Sequence, residues 1–170
     1  MTLRPATPHD TDALAELGHR AFIAKFGHLY SPPNLASFLA DTHSPGAVAH
    51  DLANPNLAIA VIETNGAIAA FCKVAFASTL AHHSDAHNPF ELKQLYTDPD
   101  LIGRGHGAQL MEWAIAQART AGADALQLSV YADNPQAHRF YQRYGLVKIA
   151  DITFRVGDHV DPEWLMAVKL

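Results

Sequence analysis

Only one cysteine, Cys72, occurs in 170 residues, which excludes an internal disulfide; set in Ala69-Ala70-Phe71-Cys72-Lys73-Val74, it reads as a buried small apolar residue rather than a nucleophile. No apolar run is long enough to span a bilayer, and the first residues lack the apolar stretch of a signal peptide. The expectation is a cytoplasmic protein with no membrane partner. No linker, internal repeat or low-complexity tract is visible, so the chain reads as one domain. Positive charge is also scarce. With 12 Lys and Arg against 17 Asp and Glu, the net charge is -5 and no basic stripe is available to displace counterions, which argues against nucleic acid.

What the chain does have is 49% hydrophobic residues, enough for a full-sized core, and a segment that can carry chemistry. Asp98-Pro99-Asp100-Leu101-Ile102-Gly103-Arg104-Gly105-His106-Gly107-Ala108-Gln109 sets three alternate glycines between a strand-like run and an amphipathic helix. Glycine permits a sharp turn and has no Cβ to hold a ligand off. The N–H groups of the loop and first helical turn can then converge on an anion, favoured by the helix dipole. Two nucleotide readings fail on named residues. A Walker A loop would end in Gly-Lys-Ser/Thr, where this one has Gly-Ala-Gln; a dinucleotide fingerprint needs Gly or Ala where Leu110 stands, and Asp124 precedes the next strand instead of ending it.

From Gly107 the positions Leu110, Met111, Ala114, Ile115 and Ala118 make one buried helix face, which Gly122 terminates. Ala125 to Tyr131 alternates as a strand. Asn134-Pro135 opens a second helix as N-cap and first helical residue, with Ala137, Phe140, Tyr141 and Tyr144 on one face and a stop at Gly145.

These segments resemble the GNAT superfamily of acetyl-CoA-dependent N-acetyltransferases. The resemblance is carried by Glu91-Leu92-Lys93-Gln94-Leu95-Tyr96-Thr97-Asp98-Pro99, the loop Gly103 to Gly107, Leu128-Ser129-Val130, and Asn134 through Leu146; Leu3 to Asp10 is similar to the family's first strand and turn. Two residues depart from the pattern: Ile102 stands where the loop usually begins with Arg or Gln, and Leu146 replaces an aromatic. The first loses a side-chain contact but keeps the backbone cradle.

The resemblance implies a single N-acetyltransferase domain over residues 1–170, with a mixed, mostly antiparallel sheet splayed between two strands and helices on both faces. It implies acetyl-CoA as cosubstrate and an amine acceptor, either a small molecule or a peptide or protein amine, with a homodimer left open. Acyl transfer to an amine needs a neutral amine, a donor for the developing oxyanion and a proton for the leaving thiolate. By resemblance the oxyanion donor is the Leu95 N–H, at strands that splay beyond that point, and the pantetheine arm pairs with main chain at Leu95, Tyr96 and Thr97. Ile102, Gly103, Arg104, Gly105, His106, Gly107 and Ala108 cradle the pyrophosphate, with His106 a variable loop position. Asn134 contacts pantetheine, Phe140 lies in the cofactor site, and Tyr141 is the general acid. Periodicity alone would make Tyr141 a core aromatic; the motif position reverses that.

For the base, strand alternation puts Glu91, Lys93, Leu95 and Thr97 on one face and Leu92, Gln94 and Tyr96 on the other. Glu91 matches a glutamate base of several GNAT enzymes, with a water relay as the alternative. The segments Ala21 to Tyr30 and Phe154 to Met166 are similar to the PaiA-type branch, associated with polyamine acetylation, and Asp158, Asp161 and Glu163 in the tail favour an acceptor with a second positive charge. A non-catalytic CoA-binding regulatory or partner module on the same fold is the alternative function.

Eleven histidines raise a metal reading, densest at His82, His83 and His87 around Asp85, but Pro89 follows and the stretch precedes a strand. A solvated loop, and no metal, is expected. Elsewhere Thr7 to Asp10 reads as a capping box for a helix to about Lys25, followed by a break from Phe26 to Pro33. Helices are expected from Asn34 to Asp41 and from Ser44-Pro45 to Leu52. Strands are expected over 57–63, 67–75, 90–97, 147–156 and 164–169, with Asn65-Gly66 as a type I′ hairpin turn.

Overall fold

The computed structural model describes residues 1–170. One seven-stranded sheet organises it, in the order β1-β2-β3-β4-β5-β7-β6. These strands are β1 (Thr2–Pro5), β2 (Leu57–Thr64), β3 (Ala67–Ala75), β4 (Pro89–Thr97), β5 (Ala125–Tyr131), β6 (Val147–Val156) and β7 (His159–Lys169). Every neighbouring pair is antiparallel except β4 and β5, whose connection runs through a helix as a parallel crossover must.

Helices cover both faces. α4 (His106–Thr120) and α5 (Pro135–Gln142) lie on one, where Leu110, Met111 and Ala114 meet Cys72, Val74, Leu92, Leu128 and Met166. On the other lie α1 (Thr11–Phe26), α2 (Pro32–His43) and α3 (Pro45–Ala53), with Leu14, Leu17 and Val48 against Ile59, Val61 and Phe71. Local chemistry explains the starts: Ser31 and Ser44 accept from backbone N–H groups three residues on, each followed by Pro at the first helical position. The Asp10 carboxylate closes back on the N–H and hydroxyl of Thr7 and takes a two-armed contact from Arg4 at 2.8 Å. Asn65 at φ 54° and Gly66 at φ 78° make the expected left-handed hairpin turn.

Two expectations need correction. The last strand starts at His159 rather than Trp164, because Val156 pairs with His159 across a two-residue turn at Gly157 and Asp158, giving a long ribbon. The simple alternation expected for β4 fails. Lys73 pairs with Gln94 but Val74 with Leu92, so Lys93 is an extra residue, a β-bulge. Beyond it the faces exchange: Phe90, Leu92 and Leu95 all join the α4 side, while Tyr96 packs against Phe71 on the α1 side.

Candidate active site at the parting of two strands

β4 and β5 pair only at Pro89, Phe90 and Glu91, opposite Ala125, Leu126 and Gln127; beyond these positions the strands part. The ladder to β3 sets which backbone groups face the gap. Asp98 N–H donates to Ala69 O at 2.8 Å, and hydrogen-bonded pairs recur at every second residue, so Tyr96 points its peptide groups at β3 while Leu95 and Thr97 turn theirs towards the gap. The Leu95 N–H is thus available to a ligand lying between the strands.

β4 leads through a 3-10 turn (Pro99–Leu101) into the glycine loop. Gly103 and Gly105 adopt φ 86° and 84°, which L side chains rarely reach, and a Cβ built at either would meet nothing within 4 Å. The loop therefore presents bare backbone to open space. Gly105 caps α4 and its carbonyl accepts from Gln109 N–H, leaving the N–H groups of His106, Gly107 and Ala108 without partners in the helix. Ile102 and Arg104 are exposed at the loop's rim. His106 differs from the variable loop position expected: it is the first residue of α4, 4% exposed, with Nδ1 unpartnered. The cradle fits an anion carried by a ligand that approaches closely, as the pyrophosphate of CoA would.

α5 closes the same face. Asn134 is the N-cap expected, accepting from Ala137 N–H at 3.3 Å. Phe140 lies beside Gly107, its ring 3.7 Å from where a Cβ would stand, and Tyr141 packs edge-on to Phe140 at 5.2 Å between ring centroids. Tyr141 is half-buried against the main core, and burial, reinforced by the nearby Cys72, pushes its hydroxyl well above the ordinary phenol range. It holds its proton throughout neutral pH.

Glu91 lies where β4 and β5 are still paired. Its carboxylate is 6% exposed and accepts from the Thr79 N–H and hydroxyl at 2.8 Å each and from Lys93 Nζ at 3.1 Å. This arrangement ties down the segment before β4, with Oε2 engaged by Thr79 and Oε1 by Lys93. The His82, His83 and His87 side chains of that segment are exposed, around a 3-10 turn at Ala81–His83.

The opposite face of the gap holds two of the acidic residues of the tail. Asp161 and Glu163 point the same way from β7. Asp161, 3% exposed, accepts from the Tyr30 hydroxyl at 2.5 Å and pairs with His159 Nε2 at 3.1 Å, while the Ser129 hydroxyl donates to Glu163. Phe26 meets Tyr131 edge-on, and Phe22, Phe38 and Tyr96 complete an aromatic wall. Asp158 is separate, exposed at the ribbon's turn and held through its N–H by Asn34. Ser129 and Tyr30 had no chemical signal of their own in the sequence; only the acidic residues Asp158, Asp161 and Glu163 in the tail hinted at this side.

Residues 20–146 match the family model described as Acetyltransferase (GNAT) family. An uncharacterized N-acetyltransferase of Mycobacterium tuberculosis (strain ATCC 25618 / H37Rv) is 30% identical over 161 residues, 95% of this chain and 98% of that protein. The aminoalkylphosphonate N-acetyltransferase of Salmonella typhimurium is 33% identical over 97 residues, 57% of this chain and 61% of that one. Among solved structures, a PaiA N-acetyltransferase from Thermoplasma acidophilum in complex with coenzyme A superposes with a TM-score of 0.79 over 100% of both chains at 17% identity, a likeness of fold. With a family model spanning most of its length, a relative matched almost end to end, and a glycine cradle beside two parted strands, this chain belongs to the GNAT acetyltransferase family and is an acetyl-CoA-dependent acyltransferase.

Proposed function

We propose that the protein transfers the acetyl group of acetyl-CoA directly to a primary amine, both substrates being bound at once on opposite faces of the gap between β4 and β5. The observation that carries this reading is the parting of those strands after Glu91, with free peptide groups of Leu95 and Thr97 facing the opening. When bound, acetyl-CoA supplies an activated thioester carbonyl. The loop Gly103 to Ala108 holds its pyrophosphate with N–H groups, and Leu95 and Thr97 pair with the pantetheine arm as another strand would. Phe140 and Asn134 flank that arm.

Leu95 N–H then donates to the carbonyl oxygen as negative charge develops there, an interaction stronger in the transition state than before it. Tyr141 gives its proton to the departing sulfur. A thiol of ordinary pKa near 8.5 leaves as a weaker base than phenolate, so the transfer is delayed until the C–S bond is largely broken. A direct attack fits a gap open to both faces, since the amine and thioester can meet without an acylated side chain; Cys72, the only cysteine, is fully buried and its thiol is pushed up by desolvation.

The acceptor side, with its carboxylate pair and aromatic wall, suits a cationic amine. Aminoalkylphosphonates, for which one relative is named, share the reacting primary amine with polyamines and peptide N-termini but carry an anionic phosphonate that a carboxylate pair disfavours. The test is amine-dependent release of CoA thiol across a panel containing spermidine, aminoalkylphosphonates, amino acids and short peptides. Turnover with at least one primary amine is expected; thioester hydrolysis alone, unchanged by any amine, would overturn the reading.

A further inference from the structure

We infer that Glu163 is the group that takes the proton from the acceptor ammonium, with Ser129 as the residue that positions its carboxylate; this rests on the acetyl-transfer reading above. The placement comes from three strands. Glu163 on β7 pairs opposite Tyr131 at the end of β5, the stretch of β5 that β4 no longer covers. Its side chain lies on the acceptor face with Asp161, and within electrostatic reach of Tyr96 on β4, beside the residue whose N–H faces the thioester position. The Ser129 hydroxyl engages one oxygen, Oε2, and no Lys or Arg forms an ion pair with either.

The surroundings contain no compensating cation. The titratable groups around Glu163 are Asp161 on its own strand, Tyr131 on β5, Tyr96 on β4 and Tyr30 beyond α1, with His159 bound to Asp161. Burial, and then the charge of Asp161, push the Glu163 carboxyl up to about 7. Asp10 and Asp98, by contrast, are held low by Arg4 and Arg20, and the Glu91 oxygens are engaged by Thr79 and Lys93. A carboxylate near 7, open at one oxygen and lacking a protein cation, is matched to receiving an ammonium and its proton.

An ammonium gives one proton to Glu163, which passes it to solvent, and the neutral nitrogen attacks the thioester carbon. As the C–N bond forms and C–S breaks, the nitrogen gives its second proton to the again-ionised Glu163 and sulfur gains one from Tyr141; the proton on Glu163 then returns through solvent to the Tyr141 phenolate. The sum is amide, free thiol and one proton released.

The experiment compares wild type with Glu163→Gln and Ser129→Ala. In wild type, kcat/KM should rise with pH through a midpoint near 7. Glu163→Gln should lower it by about 10²- to 10⁴-fold and abolish that limb, with CoA affinity by calorimetry unchanged. Ser129→Ala removes a hydrogen bond to the ionised form, so the limb should survive and move to higher pH. Independently of turnover, carboxyl ¹³C NMR should show one glutamate titrating near 7 that is missing in Glu163→Gln. If Glu163→Gln keeps both the rate and the limb, or the titrating carboxyl persists in it, the inference is wrong while acetyl transfer stands. Should the Gln variant misfold, an unmoved limb in Ser129→Ala overturns it equally. Wild-type protein that acetylates no amine overturns the acetyl-transfer reading itself.

Discussion

In the proposed acetyl transfer, Tyr141 serves packing and chemistry together. Its ring belongs to the apolar face of α5 and its hydroxyl, raised by burial, stays protonated at any pH where the protein works. Tyr141→Phe keeps the ring and removes the proton, so stability and CoA affinity should hold while kcat falls by about 10²- to 10⁴-fold; near wild-type kcat, with the chemical step shown to be rate-limiting, would reduce Tyr141 to a core aromatic. Glu91 is the opposite lesson. Its motif position was readable from the sequence, but the Thr79 and Lys93 partners that occupy its oxygens were not, because Thr79 is twelve residues away in a segment with no regular periodicity. A residue's type can be read locally, whereas the vacancy of its oxygens depends on what folds against it.

At the scale of elements, most of the molecule was legible. The strands over 67–75, 125–131 and 147–156 fall where alternation and turn residues put them, and α3 starts at the Ser44-Pro45 signal. The bulge at Lys93 was not legible: a one-residue insertion between Leu92 and Gln94 has no compositional mark, and it is decided by pairing with β3. It has a consequence for the site, since it turns Leu95 towards the α4 side and Tyr96 towards the acceptor side. α4 carries the clearest prediction. Gly105→Val would force a branched side chain into φ 84°, at a cost of about 1–3 kcal/mol, and project it into the open space in front of the cradle. Calorimetric titration should find CoA binding severely weakened in a variant whose circular dichroism remains native; undiminished affinity would mean the loop does not hold the pyrophosphate.

Across the whole molecule, buried His43 and half-buried Glu163 pull acid stability in opposite directions. His43, 3% exposed, packs its ring against Phe22, Phe38 and Tyr96 and under Gly18, with Nε2 unpartnered; desolvation first, then Lys73 and His19 against the opposing charge of Asp51, lower it to about 4. Its contribution is fully present above its unfolded value of 6.5 and is lost as pH falls towards 4. Glu163 is raised from 4.5 to about 7, so its ionisation destabilises the fold as pH rises through that window. Each shift corresponds to about 3 kcal/mol, and in wild type they largely cancel. Glu163→Gln should therefore be more stable than wild type at pH 7 and lose that advantage on acidification towards pH 4, as read by urea unfolding at a series of pH values. Identical pH dependence in both proteins would show that Glu163 ionises without cost in the fold.

Periodicity, caps and glycine spacing by themselves determined the order of strands and helices and a bare glycine loop at the start of α4, because each of these is a local property of ten or fifteen residues. They also placed Tyr141 and Asn134 on one helix. No helix is long and apolar enough to cross a bilayer. The acceptor face was decided by tertiary structure alone. It draws Tyr30 from beyond α1, Tyr96 from β4, Ser129 and Tyr131 from β5 and Asp161 and Glu163 from β7 to one opening, and the pairing of β5 with β7 rather than with its sequence neighbour β6 is what brings Ser129 to Glu163. Charge state follows from that enclosure: the Glu163 carboxyl is raised because partial burial thins the water around it and Asp161, not a cation, stands beside it, and both are properties of the packed sheet and not of any segment.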